Sequence, residues 1–294
     1  MEKDAGMLIC DWGSSSLRAY FVDADGKVVS RHESPRGIKA ITGGETEYRE
    51  TLNEILEQMK VSPDCPIRIS GMAGSMKGWI ETDYVATPAG ASEIAANYVS
   101  LSGYSDARLF GGLKHECEDG SRDIMRGEEI QILGVLKSHP DAKQICLPGT
   151  HSKWATVENG CITGFKTYMT GDLFHSLCEN SIFAGQISSR DFHHEGFQMG
   201  CRLARQGSTL DDLFRLRTGF VFGDISEDAF RSYLSGFLIG NELRAADAKG
   251  SVHLCGSSSL ITSYALALEE LEVTSSTIDS ESATISGHLQ LSQS

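Results

Sequence analysis

The stretch Leu8–Lys27, LICDWGSSSLRAYFVDADGK, decides the fold. Met7–Cys10 is an apolar run and Leu17–Asp23 a second, separated by Gly13-Ser14-Ser15-Ser16, residues small enough for a tight turn. Asp25-Gly26 is a strong hairpin signal and leads to a third extended run, Lys27–Arg31. The same layout returns roughly half a chain later in Ile145–Cys161, ICLPGTHSKWATVENGC. There, strands at Gln144–Leu147 and Trp154–Val157 flank Pro148-Gly149-Thr150, and Asn159-Gly160 turns the chain into Cys161–Phe165. Two such β units, each followed by helices, predict an α/β protein of two domains, 1–140 and 141–294, facing one another across a cleft.

Working outward, Tyr48, Leu52, Ile55, Leu56 and Met59 fall on one helical face, and Ile67–Ser70 resumes a strand. The Gly-rich segment from Gly71 to Gly90 reads as a functional loop. Ala91–Val99 is expected to be a helix and Arg108–Phe110 a brief strand. Asp123 is placed at the head of a helix over Ile124–Leu136, where an aspartate caps exposed N–H groups. From Gly171 to Ala248 the chain reads as mainly helical, with Ser232–Ala246 the clearest case. A strand at Ser251–Cys255, a turn at Gly256-Ser257-Ser258 and a helix at Leu260–Leu271 follow. The Ser/Thr-rich tail is weakly patterned, and whether it packs back on the first domain is left open.

The 294 residues carry 26 Lys+Arg against 40 Asp+Glu, a net charge of −14. That balance argues against a general nucleic-acid binder, which presents a basic face. No run of 18 apolar residues occurs, so no membrane span is expected, and the N-terminus has no secretory pattern. A cytoplasmic location is the default expectation. The eight cysteines include no C-x-x-C pair and several sit in apolar runs, which reads as reduced core thiols. Glycine, at 31 residues, exceeds the usual ~7% and calls for a use.

Four segments can carry chemistry. Asp11 with Gly13, Ser14, Ser15 and Ser16 offers close-approaching N–H groups, hydroxyl donors and a carboxylate able to hold Mg²⁺ through water; an ordinary hairpin turn is the plainer reading. Gly149, Thr150, His151, Ser152 and Lys153 form a second such turn, with two side chains able to face an anion. Gly256 and Ser257, between a strand and a helix, can set backbone donors against a nucleotide. Asp123 can take a proton from a substrate hydroxyl or simply cap a helix. Glu128 and Glu129 point about 100° apart on a helix, so at most one faces the site. No Walker A box and no G-x-G-x-x-G is present. His193, His194 and Glu195 read as a solvated turn because adjacent residues do not share a helix face. Trp12, Trp79 and Trp154 read as packing residues.

In their order these segments resemble the sugar kinase and actin-like ATPase superfamily: phosphate-1 hairpin, catalytic Asp, phosphate-2 hairpin, adenosine turn. DWGSSSLRAYF, GMAGSMKGW, DIMRGEEIQILG, LPGTHSKW and MTGDLF are together similar to the 2-dehydro-3-deoxygalactonokinase family. The resemblance implies two actin-like ATPase (ribonuclease H-like) domains with an interdomain cleft. It implies phosphorylation of the 6-hydroxyl of 2-dehydro-3-deoxy-D-galactonate by ATP and Mg²⁺, in galactonate catabolism. It also gives Asp123 the part of base and Asp11 that of metal ligand. The substrate is an acid, so Arg18, Lys77 and Arg126 are the candidate cations for its carboxylate, with Gly74 and Glu128 in the same substrate-binding set. A kinase for another sugar or sugar acid, or a non-enzymatic actin-like nucleotide sensor, are the competing readings. A homodimer is left open.

Overall fold

The computed structural model describes residues 6–187, 189–205, 207 and 209–293. They fall into two compact units. The first runs to Asp141 and adds Val157–Phe165 and the segment from Ser280; the second comprises Ala142–Thr156 and Lys166–Asp279.

In the first unit, β1 (Gly6–Trp12), β2 (Leu17–Asp23) and β3 (Val28–Ser34) form an antiparallel meander in which Asp11 stands opposite Arg18 and Trp12 opposite Leu17. The helix α1 (Gly44–Met59) buries Tyr48, Leu52, Ile55, Leu56 and Met59, the face that its period marks out. All five residues of β4 (Ile67–Gly71) are buried, as a strand covered on both faces must be, and it runs parallel to β1. Next come β5 (Tyr84–Ala86), α2 (Ala91–Ala95), β6 (Tyr98–Ser100), β7 (Ala107–Phe110), β8 (Gly112–Glu116), β9 (Arg122–Met125) and α3 (Glu128–Ser138). The main sheet has the order β3-β2-β1-β4-β7-β6, and β5-β8-β9 make a small separate sheet. Trp12, Tyr48 and Trp79 pack together in the core, with the Tyr48 and Trp79 rings stacked at 5.6 Å.

Two sequence expectations fail here. The helix expected over Ala91–Val99 stops at Ala95, because Tyr98 and Val99, good strand formers, pair with Phe110 and Leu109 of β7. The helix expected from Ile124 begins only at Glu128. Asp123 and Ile124 pair with His115 and Lys114 of β8, and Gly127, at φ 105°, breaks the chain between strand and helix.

The second sheet opens with β10 (Gln144–Leu147), β11 (Ser152–Glu158) and β12 (Cys161–Tyr168), of which Val157–Phe165 counts with the first unit; α4 (Thr170–Asn180), α5 (His194–Ala204), α6 (Thr209–Phe222) and α7 (Phe230–Ala245) follow in the second unit. Then follow β13 (Ser251–Gly256), α8 (Ser258–Glu270) and β14 (Thr274–Asp279). The sheet order β12-β11-β10-β13-β14 repeats β3-β2-β1-β4-β7: an antiparallel hairpin on the first strand, then parallel neighbours on its other side. The weakly patterned tail holds β14 and then α9 (Ser280–Leu291), which packs on α3 of the first unit. Gly134 and Gly287 make that close crossing, since a Cβ on either would strike the backbone of Ala283 or Ile130. All eight cysteines are free thiols.

Candidate active site

In the first unit, β1 ends at Asp11-Trp12 and the next four residues turn tightly, the Gly13 N–H donating to the Ser16 carbonyl at 2.9 Å. Ile38 and Lys39 N–H groups donate to the carbonyls of Gly13 and Ser14, so the turn is held from outside. Ser15 is exposed, and Ser14 and Ser16 are half-buried. The Asp11 side chain, 23% exposed, faces Arg18 at 3.8 Å. Burial pushes its carboxyl above the usual carboxylate range; the Arg18 guanidinium pulls it back, and the nearby Glu128 charge adds to the rise. Arg18 also donates to Glu33 at 3.2 Å, so its charge is shared between two carboxylates.

Glu128 opens α3 and its Oε2 accepts from the Arg126 N–H at 3.0 Å. Its neighbour Glu129 is fully buried, with both oxygens accepting from the Gly127 N–H, and burial together with the Glu128 charge pushes its pKa up to about 8. Glu128 is thus half-buried and Glu129 inside. Asp123 is half-buried on β9 opposite His115, its Oδ1 accepting from the Ile124 N–H at 2.7 Å. It caps no helix. Glu128, read from sequence only as a substrate contact, is the carboxylate that the helix start brings near Asp11.

The three cations expected at the substrate carboxylate have different fates. Arg126 is buried: its guanidinium donates to the Thr82 hydroxyl and, at 3.0 Å, to the Thr82 carbonyl, and lies 4.3 Å over the Tyr84 ring. It ties the Gly-rich loop to α3 rather than projecting from it. Gly74 is buried in the same knot, where a Cβ would meet the Thr82 hydroxyl at 2.6 Å and the Arg126 guanidinium at 2.9 Å. Lys77 is exposed on that loop.

In the second unit, Gly149 is half-buried and Thr150 and His151 are exposed. Ser152 and Lys153, expected to meet phosphate, turn inward instead. Ser152 is fully buried with its hydroxyl 2.8 Å from the Tyr264 OH, and Lys153 is 6% exposed with Nζ donating to the Thr167 hydroxyl at 2.9 Å. Ser152 is already the first residue of β11, whose first four residues are all buried, so both it and Lys153, on opposite faces of the strand, are covered. Gly256 ends β13 beside Pro148, and Ser257 is the N-cap residue of α8, its carbonyl accepting from the Ile261 N–H at 2.9 Å. A cavity of about 610 Å³ opens here, lined by Gly149, Thr170, Phe174, Leu238, Ile239 and Ser259 among others. Its apolar walls with a few polar groups suit a nucleoside-sized ligand. His193 is the N-cap of α5, Nδ1 accepting from the Gly196 N–H at 3.0 Å.

Two units built on the same strand order, each with a small-residue turn at the end of its first strand, define an α/β protein of the actin-like ATPase fold. A solved structure of the activator of 2-hydroxyisocaproyl-CoA dehydratase from Clostridium difficile, with bound ADPNP, shares this fold at a TM-score of 0.54 and 10% identity, covering 98% of this chain and 95% of that one. Within that class the chain belongs to the 2-keto-3-deoxy-galactonokinase family, whose profile matches residues 11–291, and it is a phosphotransferase. A relative from Rhizobium meliloti (strain 1021), named "Probable 2-dehydro-3-deoxygalactonokinase DgoK1", is 35% identical over 290 residues, 94% of this chain and 93% of its own. The 2-dehydro-3-deoxygalactonokinase of Escherichia coli (strain K12) is 30% identical over 240 residues, 81% of this chain and 80% of its own. A crystal structure from Sinorhizobium meliloti, provisionally described as a 2-dehydro-3-deoxygalactonokinase, superposes with a TM-score of 0.90 at 31% identity over 98% of both chains. Among the described residues no helix is long and apolar enough to cross a membrane.

Proposed function

We propose that the chain transfers the γ-phosphoryl group of ATP to the 6-hydroxyl of 2-dehydro-3-deoxy-D-galactonate, giving 2-dehydro-3-deoxy-6-phosphogalactonate in galactonate catabolism. The observation that carries this reading is the family match over residues 11–291, joined to a tight turn after the first strand of each unit. Phosphoryl transfer asks a protein for positioning and charge neutralisation more than for covalent chemistry, and backbone N–H groups on small-residue turns supply both. Gly13–Ser16 in the first unit and Gly149–His151 in the second are assigned to the phosphates. The cavity beside Gly149 and α8 is assigned to the nucleoside, with Gly256 and Ser257 at the helix start.

Mg²⁺ bound to phosphates keeps most of its water and asks for one or two carboxylates. Among the described residues no three His, Cys, Asp or Glu side chains form a preformed metal cage. Asp11, partly exposed at a strand end next to the serine turn, fits the lesser demand. The ion would neutralise phosphate charge there, and Arg18 would keep Asp11 oriented.

For the base, the sequence reading puts Asp123 forward. The structure favours a second assignment, Glu128, because it opens α3 close enough to Asp11 to repel its charge. Lys77, on the exposed part of the Gly-rich loop, is the cation assigned to the substrate carboxylate. With a net charge of −14, attraction of an anionic substrate rests on such local cations. The test is an ADP-release assay with ATP, Mg²⁺ and a panel of sugar acids. ADP formation stimulated by 2-dehydro-3-deoxygalactonate above all others is the expected result; stimulation by a different acid, or nucleotide binding without turnover, would replace this reading with a competing one.

A further inference from the structure

One buried carboxylate in the second unit joins three elements around the turn after β10. Glu242, in the last third of α7, is 3% exposed, and a carboxylate removed from water needs hydrogen-bond donors. It has three. The Trp154 indole N–H and the Tyr264 hydroxyl donate to its two oxygens at 2.7 Å each, the Thr170 hydroxyl also bonds to it, and the Ser152 hydroxyl joins the network through Tyr264. These donors come from β11 as it leaves the turn, from α8 after Gly256-Ser257, and from the first residue of α4.

The hydroxyl network has a direction. Tyr264 donates to Glu242, so its oxygen is the acceptor for Ser152, and Ser152 is thereby committed to the interior. The other side of the turn is held by α4, where the Asp172 N–H donates to the Thr150 carbonyl at 3.0 Å. Gly171 permits that approach, since a Cβ there would meet the Gly149 carbonyl at 2.5 Å and the Thr150 Cα at 2.8 Å. Thr170, Gly171, Gly149 and Tyr264 all line the 610 Å³ cavity, whereas Glu242 stands behind them.

We infer that Glu242 is a positioning residue for the nucleotide phosphates: through Ser152, Trp154, Thr170 and Tyr264 it fixes the Gly149–His151 turn without touching the nucleotide. This rests on the kinase reading above. An apolar residue in its place leaves three inward-facing donors without an acceptor. Glutamine keeps the shape but turns one oxygen into an NH₂ that opposes a donor.

The experiment compares wild type with Glu242→Gln by ADP-release kinetics and by calorimetric titration with ATP and with adenosine. Glu242→Gln is expected to lower kcat/KM for ATP and ATP affinity about 10- to 100-fold, the loss of one or two hydrogen bonds to a charged group. Adenosine affinity falls clearly less than that for ATP, because adenosine meets the cavity but not the phosphate turn, and the sugar-acid KM stays within about threefold. Unchanged ATP parameters, or an adenosine affinity that falls as far as that for ATP, overturn the inference: the first shows no role, the second a general structural one. If the variant does not fold, Ser152→Ala, which removes one hydroxyl, is expected to lower kcat/KM for ATP about 3- to 10-fold with adenosine binding kept, and no change in ATP parameters overturns the inference. A wild type that releases no ADP with any sugar acid brings down the kinase reading and this inference with it; an active wild type and an equally active Glu242→Gln bring down the inference alone.

Discussion

The backbone of Gly127, just before α3, packs against that of Gly71 at the end of β4: a Cβ on Gly127 would lie 3.1 Å from the Gly71 Cα. Both glycines have positive φ, 105° and 92°, which side chains rarely adopt, and a Cβ on Gly71 would in turn meet the Trp12 carbonyl at 2.8 Å. The ends of β1 and β4 and the start of α3 thus meet at two residues without side chains. Gly127→Ala is expected to destabilise the protein by about 1–2 kcal/mol from backbone strain alone and to displace Glu128, lowering kcat. A melting temperature and kcat both equal to wild type would show that the convergence is looser than drawn.

The base assignment separates cleanly. Loss of a general base typically lowers kcat about 10²- to 10⁴-fold. Glu128→Gln is expected to fall in that range and Asp123→Asn to lose less than about tenfold. The reverse order would return the role to Asp123 on β9.

Arg126 anchors the Gly-rich loop through two bonds to Thr82 and its stacking on Tyr84. Losing such charged hydrogen bonds costs about 1.5–3 kcal/mol each, so Arg126→Ala is expected to melt several degrees lower, with a raised sugar-acid KM and little change in ATP affinity. Arg126→Lys does not restore stability, because an ammonium cannot reproduce the planar fork. An unchanged melting curve with an isolated loss of sugar-acid affinity would mean that Arg126 faces the substrate.

His288 on α9 is fully buried, 3.0 Å from the Ser70 hydroxyl on β4, and burial with the nearby Arg68 charge pushes its pKa down to about 3 from an ordinary 6.5. Above pH 6.5 the ring is neutral in both folded and unfolded chains, and its contribution to stability is complete. As pH falls from 6.5 toward 3, the unfolded chain takes up a proton that the folded one refuses, and stability is lost. Thermal melts across that window are expected to fall more steeply for wild type than for His288→Gln. Parallel curves would remove His288 from the acid response.

Much of this was written in short-range pattern. Hairpins announced by Asp25-Gly26 and Asn159-Gly160, the α1 face from Tyr48 to Met59, and the repeated layout at Leu8 and Ile145 depend on turn chemistry and side-chain period, which neighbouring residues settle among themselves. The motif blocks likewise carry the family signature in the sequence itself. What neighbours cannot settle is which of two locally acceptable states a segment takes. Arg122–Met125 has the polar-apolar mixture of a helix start, yet pairing with β8 makes it a strand and moves Asp123 off a helix. Ser152, Lys153 and Arg126 carry the groups that bind anions, but partners distant in sequence, Tyr264, Thr167 and Thr82, claim them first. The tail shows little pattern because β14 gains its stability from β13 and α9 from α3, partners that only the folded chain brings together. The sequence by itself determined the two hairpin units, the family and the turns; the tertiary structure decided where ambiguous segments became strands and which of the polar residues on those turns face outward, because burial and long-range hydrogen bonds are properties of packing rather than of local order.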